Sequence, residues 1–400
     1  VNKNYTVFGR PIIAEAAISQ LENCLTSAHD IGVLTADAHY GYGHPIGGAI
    51  AYKDKISLSG VGFDIGCGNK AVRTPLKANE LPVEKLMDEI VQQIGFGIGR
   101  PNPQPVEHPV LDQIRRAEFK PQRKLYKLAA EQLGTVGSGN HFIDLFEDEQ
   151  GYVWIGVHFG SRGFGHRTTT GFIALSKGVG FEDRVSEGPM DSPPILFDAS
   201  TELAMDYWEA MALAGEYATA GRDLVIDKVL SILGTHSLEE VHNHHNFAWK
   251  ETHFGNPYFV VRKGCTPAFP GQKSFIGSNM ADYSVIIEGI DSPAAQSGLY
   301  STVHGAGRIM SRKQAAGHKK WKNGKLIQVK QGLVNYKQVQ KQMLQLGIIV
   351  RGGGSDEAPQ CYKKLDEVLA YHEDSIRVLH KLKPIGVAMA GDDVYDPYKD

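Results

Sequence analysis

Five glycine-rich runs, each carrying side chains able to hold a metal ion or a phosphate, constrain this 400-residue chain more than any other feature. In Gly60-Val-Gly-Phe-Asp64-Ile-Gly-Cys67-Gly-Asn69 a thiol is hemmed in by glycines, with a carboxylate three positions earlier. Glycine on both sides lets another segment or a ligand approach closely. A thiolate is a strong metal ligand and nucleophile, and a carboxylate on the same tight turn can bind the same ion. The other runs are Asp37-Ala-His39-Tyr-Gly-Tyr-Gly-His44, Gly134-Thr-Val-Gly-Ser-Gly-Asn140-His141-Phe-Ile-Asp144 and Val157-His158-Phe-Gly-Ser-Arg162-Gly. The last pairs His242-Asn-His244-His245-Asn246 with Val303-His304-Gly-Ala-Gly-Arg308-Ile-Met-Ser-Arg312.

Composition sets wider limits. A chain that is 42% hydrophobic can bury a large core. No stretch approaches the apolar length of a membrane span, and the first residues lack a signal-peptide core, so the expectation is a cytoplasmic protein with no membrane partner. The four cysteines, Cys24, Cys67, Cys265 and Cys361, are scattered, which indicates free thiols instead of a disulfide framework. The formal charge of −3 neither predicts nor excludes nucleic acid, because a local basic surface decides that. No internal repeat or long linker marks a boundary, so residues 1–400 are expected to form a single domain. The proline-rich stretch from Arg100 to Pro121 reads as a surface excursion, and residues 392–400 as a C-terminal tail.

Periodicity gives a mixed α and β chain. Strands are expected from Gly48 to Tyr52, Ala71 to Thr74, Tyr152 to His158, Tyr258 to Arg262 and Ser284 to Glu288. Helices are expected from Glu84 to Ile94, Leu203 to Leu233 with a break at Gly221, Tyr336 to Leu346, and Tyr362 to Leu382. The glycine and histidine runs fall between these elements or at strand ends, where backbone can be shaped around a ligand.

Each run has a bland reading. A single histidine beside a strand is more often hydrogen-bonded than metal-bound, and most glycine-rich loops are turns. Gly41-Tyr-Gly43 leads to Pro45 instead of a helix, which argues against a dinucleotide fold, and no GxxxxGK[ST] loop is present. Neighbouring histidines in His242–His245 point different ways, so one or two at most can face one ion. The combination weighs more: one Cys, one Asp and several His, each beside glycine in a separate element, is how a metal centre built from distant segments looks. Thiolate, imidazole and carboxylate together tolerate zinc, manganese, cobalt or iron. The Gly-Ala-Gly-Arg run after His304 adds a second idea, a phosphate held by backbone N–H groups and a guanidinium beside a nucleophilic imidazole.

The ordered set of runs, extended by Arg262-Lys-Gly264 and by Asp356-Glu-Ala-Pro359 with Tyr362-Lys363, resembles the RtcB RNA ligases from about Asp37 to Gly391. The resemblance implies an α+β fold with mixed and antiparallel sheets around a central metal and nucleotide cleft. It implies a GTP- and Mn²⁺-dependent ligase that joins an RNA 3′-phosphate or 2′,3′-cyclic phosphate to a 5′-hydroxyl. His304 would attack the α-phosphorus of GTP, and the GMP would pass to the RNA 3′-phosphate before the 5′-hydroxyl displaces it. Asp64, Cys67, His141, His158 and His245 match the ligands of two Mn²⁺ ions, with Zn²⁺ or Co²⁺ as other occupants and Cys67 as the bridge. Asn140, Asp144, Asn279, Ser284, Gly305, Ala306, Gly307, Arg308 and Tyr362 match nucleotide-binding positions, and Asp37, His39 and Arg162 match RNA or phosphate contacts.

The chain also departs from the family's pattern. Asp144 stands where Glu is usual, Asn279 where a serine is expected, and Met389 where a lysine contacts the nucleotide. Gly221 replaces an asparagine before Arg222, and Phe159 replaces a serine after His158. Two further readings follow: an RNA end-processing hydrolase that guanylylates weakly, and a non-catalytic RNA-binding repair subunit. Basic runs at Lys120-Pro-Gln-Arg-Lys124 and Lys319-Lys-Trp-Lys-Asn-Gly-Lys325 are candidate RNA contacts, although such runs are more often solvated surface.

Overall fold

The computed structural model describes residues 4–186, 188–322 and 325–391; residues 392–400, including Lys399, and the side chains of 319–326 lie outside the description. Two sheets carry the architecture. The larger has eight strands, with Lys273–Ile276, Ser284–Gly289, Ile376–Gly391, Phe142–Glu147, Tyr152–Phe159, Gly68–Lys77 and Glu239–His244 as neighbours in that order, and Ile349–Gly353 added in parallel beside Ile376–Gly391. The smaller has five, Asn4–Val7, Ile31–His39, Ile46–Tyr52, Asn256–Lys263 and Asn246–His253. Pairing is antiparallel in both sheets except for one parallel edge in each. With the helices packed around them, this is the α+β class that the sequence predicts. No helix of the described residues is long and apolar enough to cross a membrane.

Register decides where the chemistry falls. Gly68 pairs with Phe159 and His244, and Phe142 pairs with His158. Cys67, His141, His158 and His245 therefore gather at one end of the larger sheet. His245 is also the point where the chain leaves Glu239–His244 and enters Asn246–His253, crossing from one sheet to the other.

All five expected strands form, each within a residue or a few of its expected ends. Two expected helices behave differently. Helix Glu202–Leu233 runs unbroken through Gly221, where a Cβ would make an ordinary 3.4 Å contact with the Phe159 ring. Its ends are set by the Thr201 hydroxyl, which accepts from Ala204 N, and by left-handed Gly234. From Tyr362 to Leu382 only Leu365–Ala370 is helical, and Ile376–Gly391 is a strand. A bulge opposite Ile286 and Ile287 leaves Leu379 out of the pairing. That slip breaks the two-residue alternation and makes Val378, Leu379 and Leu382 mimic helical spacing. The stretch from Arg100 to Pro121 is not all surface either. Helix Pro109–Arg116, capped by His108 and opened by Pro109, buries Val110, Leu111 and Ile114 against Phe164, Tyr207 and Tyr217.

The long helix delivers Arg222 into the interior beneath the site. Its guanidinium is fully buried and donates to Gly66 O at 2.9 Å, to Phe159 O, to His242 Nε2 at 2.9 Å and to His244 Nδ1 at 3.0 Å. Burial and the Arg222 charge push His242 down to about 2 and His244 to about 3, so both rings are neutral acceptors near pH 7. One guanidinium thus holds the backbone next to Cys67 and next to His158. Arg222→Met would leave two buried carbonyls and two imidazoles short of a donor, at about 1–3 kcal/mol for each group left unpaired. The expected loss is on the order of 2–5 kcal/mol in urea unfolding. A variant as stable as the parent would show that the clamp carries no load.

Candidate active site

The site is a row of side chains in contact. Asp64 and Cys67 share a turn closed by Cys67 N donating to Asp64 O at 3.0 Å. Asp64 Oδ2 lies 3.0 Å from His141 Nε2, and Cys67 Sγ lies 3.7 Å from that nitrogen and 3.3 Å from His158 Nε2. The ligand atoms of Cys67, His141 and His158 all fall within 4.8 Å of one another. Beyond them the rings of His158 and His245 have centroids 4.9 Å apart, and those of His245 and His304 5.1 Å apart. The row ends at Asp37, whose Oδ2 accepts from His304 Nδ1 at 2.7 Å.

Two glycines show why these runs are glycine-rich. A Cβ at Gly160 would overlap the Asp64 carboxylate, and one at Gly264 would stand 3.1 Å from His304 Cε1. Gly264 also has φ +56° and donates to Asn246 Oδ1 at 2.6 Å, so the turn under His304 is fixed by an asparagine next to His245. Of the three clustered histidines only His245 joins the row, while His242 and His244 are taken by Arg222.

Electrostatics separates the two ends. Burial and the neighbouring Asp64 push the Cys67 thiol well above its ordinary value. Burial and adjacent imidazoles hold His158 and His245 well below theirs, hence neutral. Burial alone would raise Asp64, but its contact with His141 outweighs that and holds it down to about 2. A carboxylate, a thiol and neutral imidazoles, with His141 Nδ1 and His245 Nδ1 buried and unpartnered, form a donor set that fits a cation of intermediate softness.

Asp37 is the residue whose position departs most from expectation. It was expected to meet RNA or phosphate. It is instead fully buried, accepting from Thr35 Oγ1 at 2.6 Å and from His304 N at 3.0 Å as well as from the ring. Gly305 N also donates to it at 3.3 Å. In a neutral His304 ring this carboxylate favours the tautomer with its proton on Nδ1 and the lone pair on Nε2. His39 is half-buried with Nδ1 3.1 Å from Asp37 O, and burial lowers it to about 4. Arg162 opens helix Arg162–Ser176 at φ 54°, with Nη2 on Gly97 O at 2.7 Å and Nε on Thr135 Oγ1 at 3.2 Å.

The positions matched to nucleotide binding fall in the loop after His304, in the 277–284 segment, around His141 and at Tyr362. Gly305, Ala306 and Gly307 wrap Asp37, with Gly307 at φ +76°. Arg308 donates to Tyr362 Oη at 2.9 Å and Asp356 O at 2.8 Å, and Tyr362 donates to Glu357. Ser284 Oγ accepts from Ser278 N at 3.2 Å, and Asn279 Oδ1 accepts from Ala281 N at 3.0 Å and Asp282 N at 3.1 Å, so both side chains shape the 277–284 loop. Asn140 stands half-buried in the turn before Phe142. Asp144 is buried, held well above the carboxylate range by burial, and its Oδ1 has no hydrogen-bond partner. Met389 sits in the apolar cluster with Phe142 and Met280.

Sequence reasoning missed Arg222 and Asn246 as supports. The signal for Arg222 was an arginine in a stretch, Ala218 to Ile226, that is small or apolar apart from Asp223. For Asn246, next to His245, the sequence held no local signal, because its partner Gly264 is far along the chain.

Two outcomes test this geometry. Gly160→Ala should displace Asp64 and lower divalent-cation affinity about 10–100-fold in titration calorimetry, the range for disturbed ligand support. Parental affinity would show that Asp64 plays no part. For Asp37, burial opposes ionisation, but the His304 ring and the hydrogen bonds from His304 and Thr35 outweigh it and hold the carboxyl below its ordinary value. Its stabilising contribution is then complete above the unfolded value of about 4 and is lost as pH falls through the folded one. Asp37→Asn should flatten the decline of urea midpoint with pH on the acid side, and an unchanged slope would contradict the pairing.

The protein-family model described as tRNA-splicing ligase RtcB matches residues 20–390. The RNA-splicing ligase RtcB of Escherichia coli is 33% identical, the match covering 87% of this chain and 87% of that protein. The tRNA-splicing ligases RtcB of Pyrobaculum aerophilum and Thermococcus kodakarensis are 29% and 28% identical, each over 91% of this chain and 88% of the relative. The family match takes in every glycine-rich run and both supports, Arg222 and Asn246, and the chain belongs to the RtcB family.

Proposed function

We propose that the chain is an RNA ligase that joins a 3′-phosphate or 2′,3′-cyclic phosphate end to a 5′-hydroxyl end through a GMP–histidine intermediate on His304. The observation that carries this reading is the Asp37–His304 pair at 2.7 Å, set at the end of a row of metal-type donors. With Nδ1–H held by the carboxylate, Nε2 is the nucleophile. It forms a bond to the α-phosphorus of GTP as the bond to pyrophosphate breaks. Asp37 is a positioning residue: it fixes the tautomer and stabilises the ring as positive charge develops.

Asp64, Cys67, His141, His158 and His245 would hold two Mn²⁺ ions, Cys67 Sγ lying within reach of both the His141 and His158 nitrogens. The ions supply charge neutralisation at the reacting phosphate oxygens. The family membership and the named relatives support RNA as the substrate. Asp144, with one oxygen unpartnered and burial favouring its protonated form, is suited to the polar edge of guanine. Met389 supplies no charge at the position where the family's pattern carries lysine, and this keeps the weakly guanylylating hydrolase as a second reading.

Incubation with α-labelled GTP and Mn²⁺ separates the readings. The expected result is a protein–GMP adduct that vanishes in His304→Ala and slows roughly 10²-fold or more in Asp37→Asn. No adduct from the parent chain under any divalent metal would overturn the ligase reading. Opening of a cyclic phosphate without ligation would favour the hydrolase.

A further inference from the structure

The formal charge of −3 is unevenly spread. From residue 292 to residue 355 the chain has eleven lysines and arginines and no aspartate or glutamate, so this stretch carries +11 and the remainder −14. The same stretch contains His304.

Its later part folds as one connected unit. Helix Arg312–Ala316 opens with a capping box between Ser311 and Gln314 and leads into the hairpin of Gly317–Lys322 and Lys325–Gln331, followed by helix Tyr336–Gln345. Leu333 N donates to Gln314 O at 2.9 Å and Val334 N to Ala315 O at 3.1 Å, which ties the exit of the hairpin to the first helix. The second helix turns Val339 and Met343 into the cluster that contains Phe142 and Met389. At the root, Arg312 pairs with Asp356 at 2.9 Å and lies 3.4 Å from the Cβ position of Gly139, in the turn that leads to His141. The basic unit is therefore continuous with the metal-facing turn and with the His304 loop.

Its outer surface retains unfavourable charge. Lys337 and Lys341 are one helical turn apart. Like charges at that spacing repel, a cost that a bound polyanion removes. Lys313, Lys330, Lys337 and Lys341 are exposed and enter no ion pair among the described residues. Between them stand exposed apolar side chains, Ile327, Val329, Leu333 and Leu344, able to cover the faces of unpaired bases. Charge, apolar interleaving and continuity with the active site fit one ligand class, a single strand with phosphates and exposed bases.

We propose that Lys313, Lys330, Lys337 and Lys341, with Ile327, Val329, Leu333 and Leu344, form a binding surface for a single-stranded RNA segment leading to the His304 site. This rests on the RNA-joining reading above and adds where the strand lies. The test uses the full chain and two variants, K313Q/K330Q and K337Q/K341Q, with a fluorescein-labelled single-stranded RNA ending in a 3′-phosphate. Both should bind about tenfold or more weakly at low salt. The log–log salt slope should become shallower by about 0.7 for each lysine that meets a phosphate. Guanylylation of His304 without RNA and the melting temperature should stay at parental values, showing that the fold and the nucleotide site are intact. Parental affinity and slope in both variants would overturn the proposal, as would loss of an acidic protein partner with RNA binding unchanged. A parent chain that forms no adduct and joins no ends would defeat the ligase reading instead, so the two failures are distinguishable.

Discussion

Everything at the site depends on one backbone seam. Where the chain crosses between the sheets, His245 N donates to Cys67 O at 2.8 Å, Asn246 N to the same oxygen at 3.2 Å, and Gly66 N to Asn246 O at 2.8 Å. These bonds lock the turn that carries Asp64 and Cys67 to the crossing that carries His245. Gly68 makes the approach feasible, since a Cβ there would overlap Asn243 O. Arg222 holds the seam from below through Gly66 O and Phe159 O, and Gly264, far along the chain, holds Asn246 against the floor of His304. The metal-type donors and His304 thus share one support, and a shift at either end is felt at the other.

The sequence made the chemistry more legible than the scaffold. Glycine beside a chemically active residue was the informative signal, because close approach forbids a Cβ whichever element later surrounds it. Asp64, Cys67, His141, His158, His245 and His304 could therefore be singled out although they come from five separate runs. Partner identity was not legible. Asp37 carried the same glycine-flanked signature as a phosphate contact, and only the fold shows that Thr35, Gly305 and His304 consume its carboxylate. Periodicity failed where a bulge at Leu379 altered the phase of a strand. It failed again where Val110, Leu111 and Ile114 lay inside a proline-rich stretch that composition marks as loop.

The departures from the family's pattern fall into two kinds. Gly221 and Phe159 face each other, a Cβ at 221 standing at an ordinary contact distance of 3.4 Å from the Phe159 ring, and the Arg222 clamp beside them is retained. Met389 has no such counterpart. It is absorbed into the cluster of Phe142, Met280 and Val387, so apolar packing replaces a cation at the strand end. The first lies beside the Arg222 clamp, and the second leaves the end of that strand apolar.

Burial explains why the metal row suits a cation and little else. The same exclusion of water drives the Cys67 thiol up and the His158 and His245 imidazoles down. In the protein alone that favours a neutral thiol and neutral rings. The rings are then already in the form that coordinates metal, and need lose no proton. The thiol must lose one, and only a nearby multivalent cation offsets a buried thiolate next to Asp64. Monovalent ions offer too little charge for two adjacent anionic ligands, and anions meet the Asp64 carboxylate. The low dielectric that would be costly for an isolated charge therefore becomes the source of selectivity for a multivalent cation.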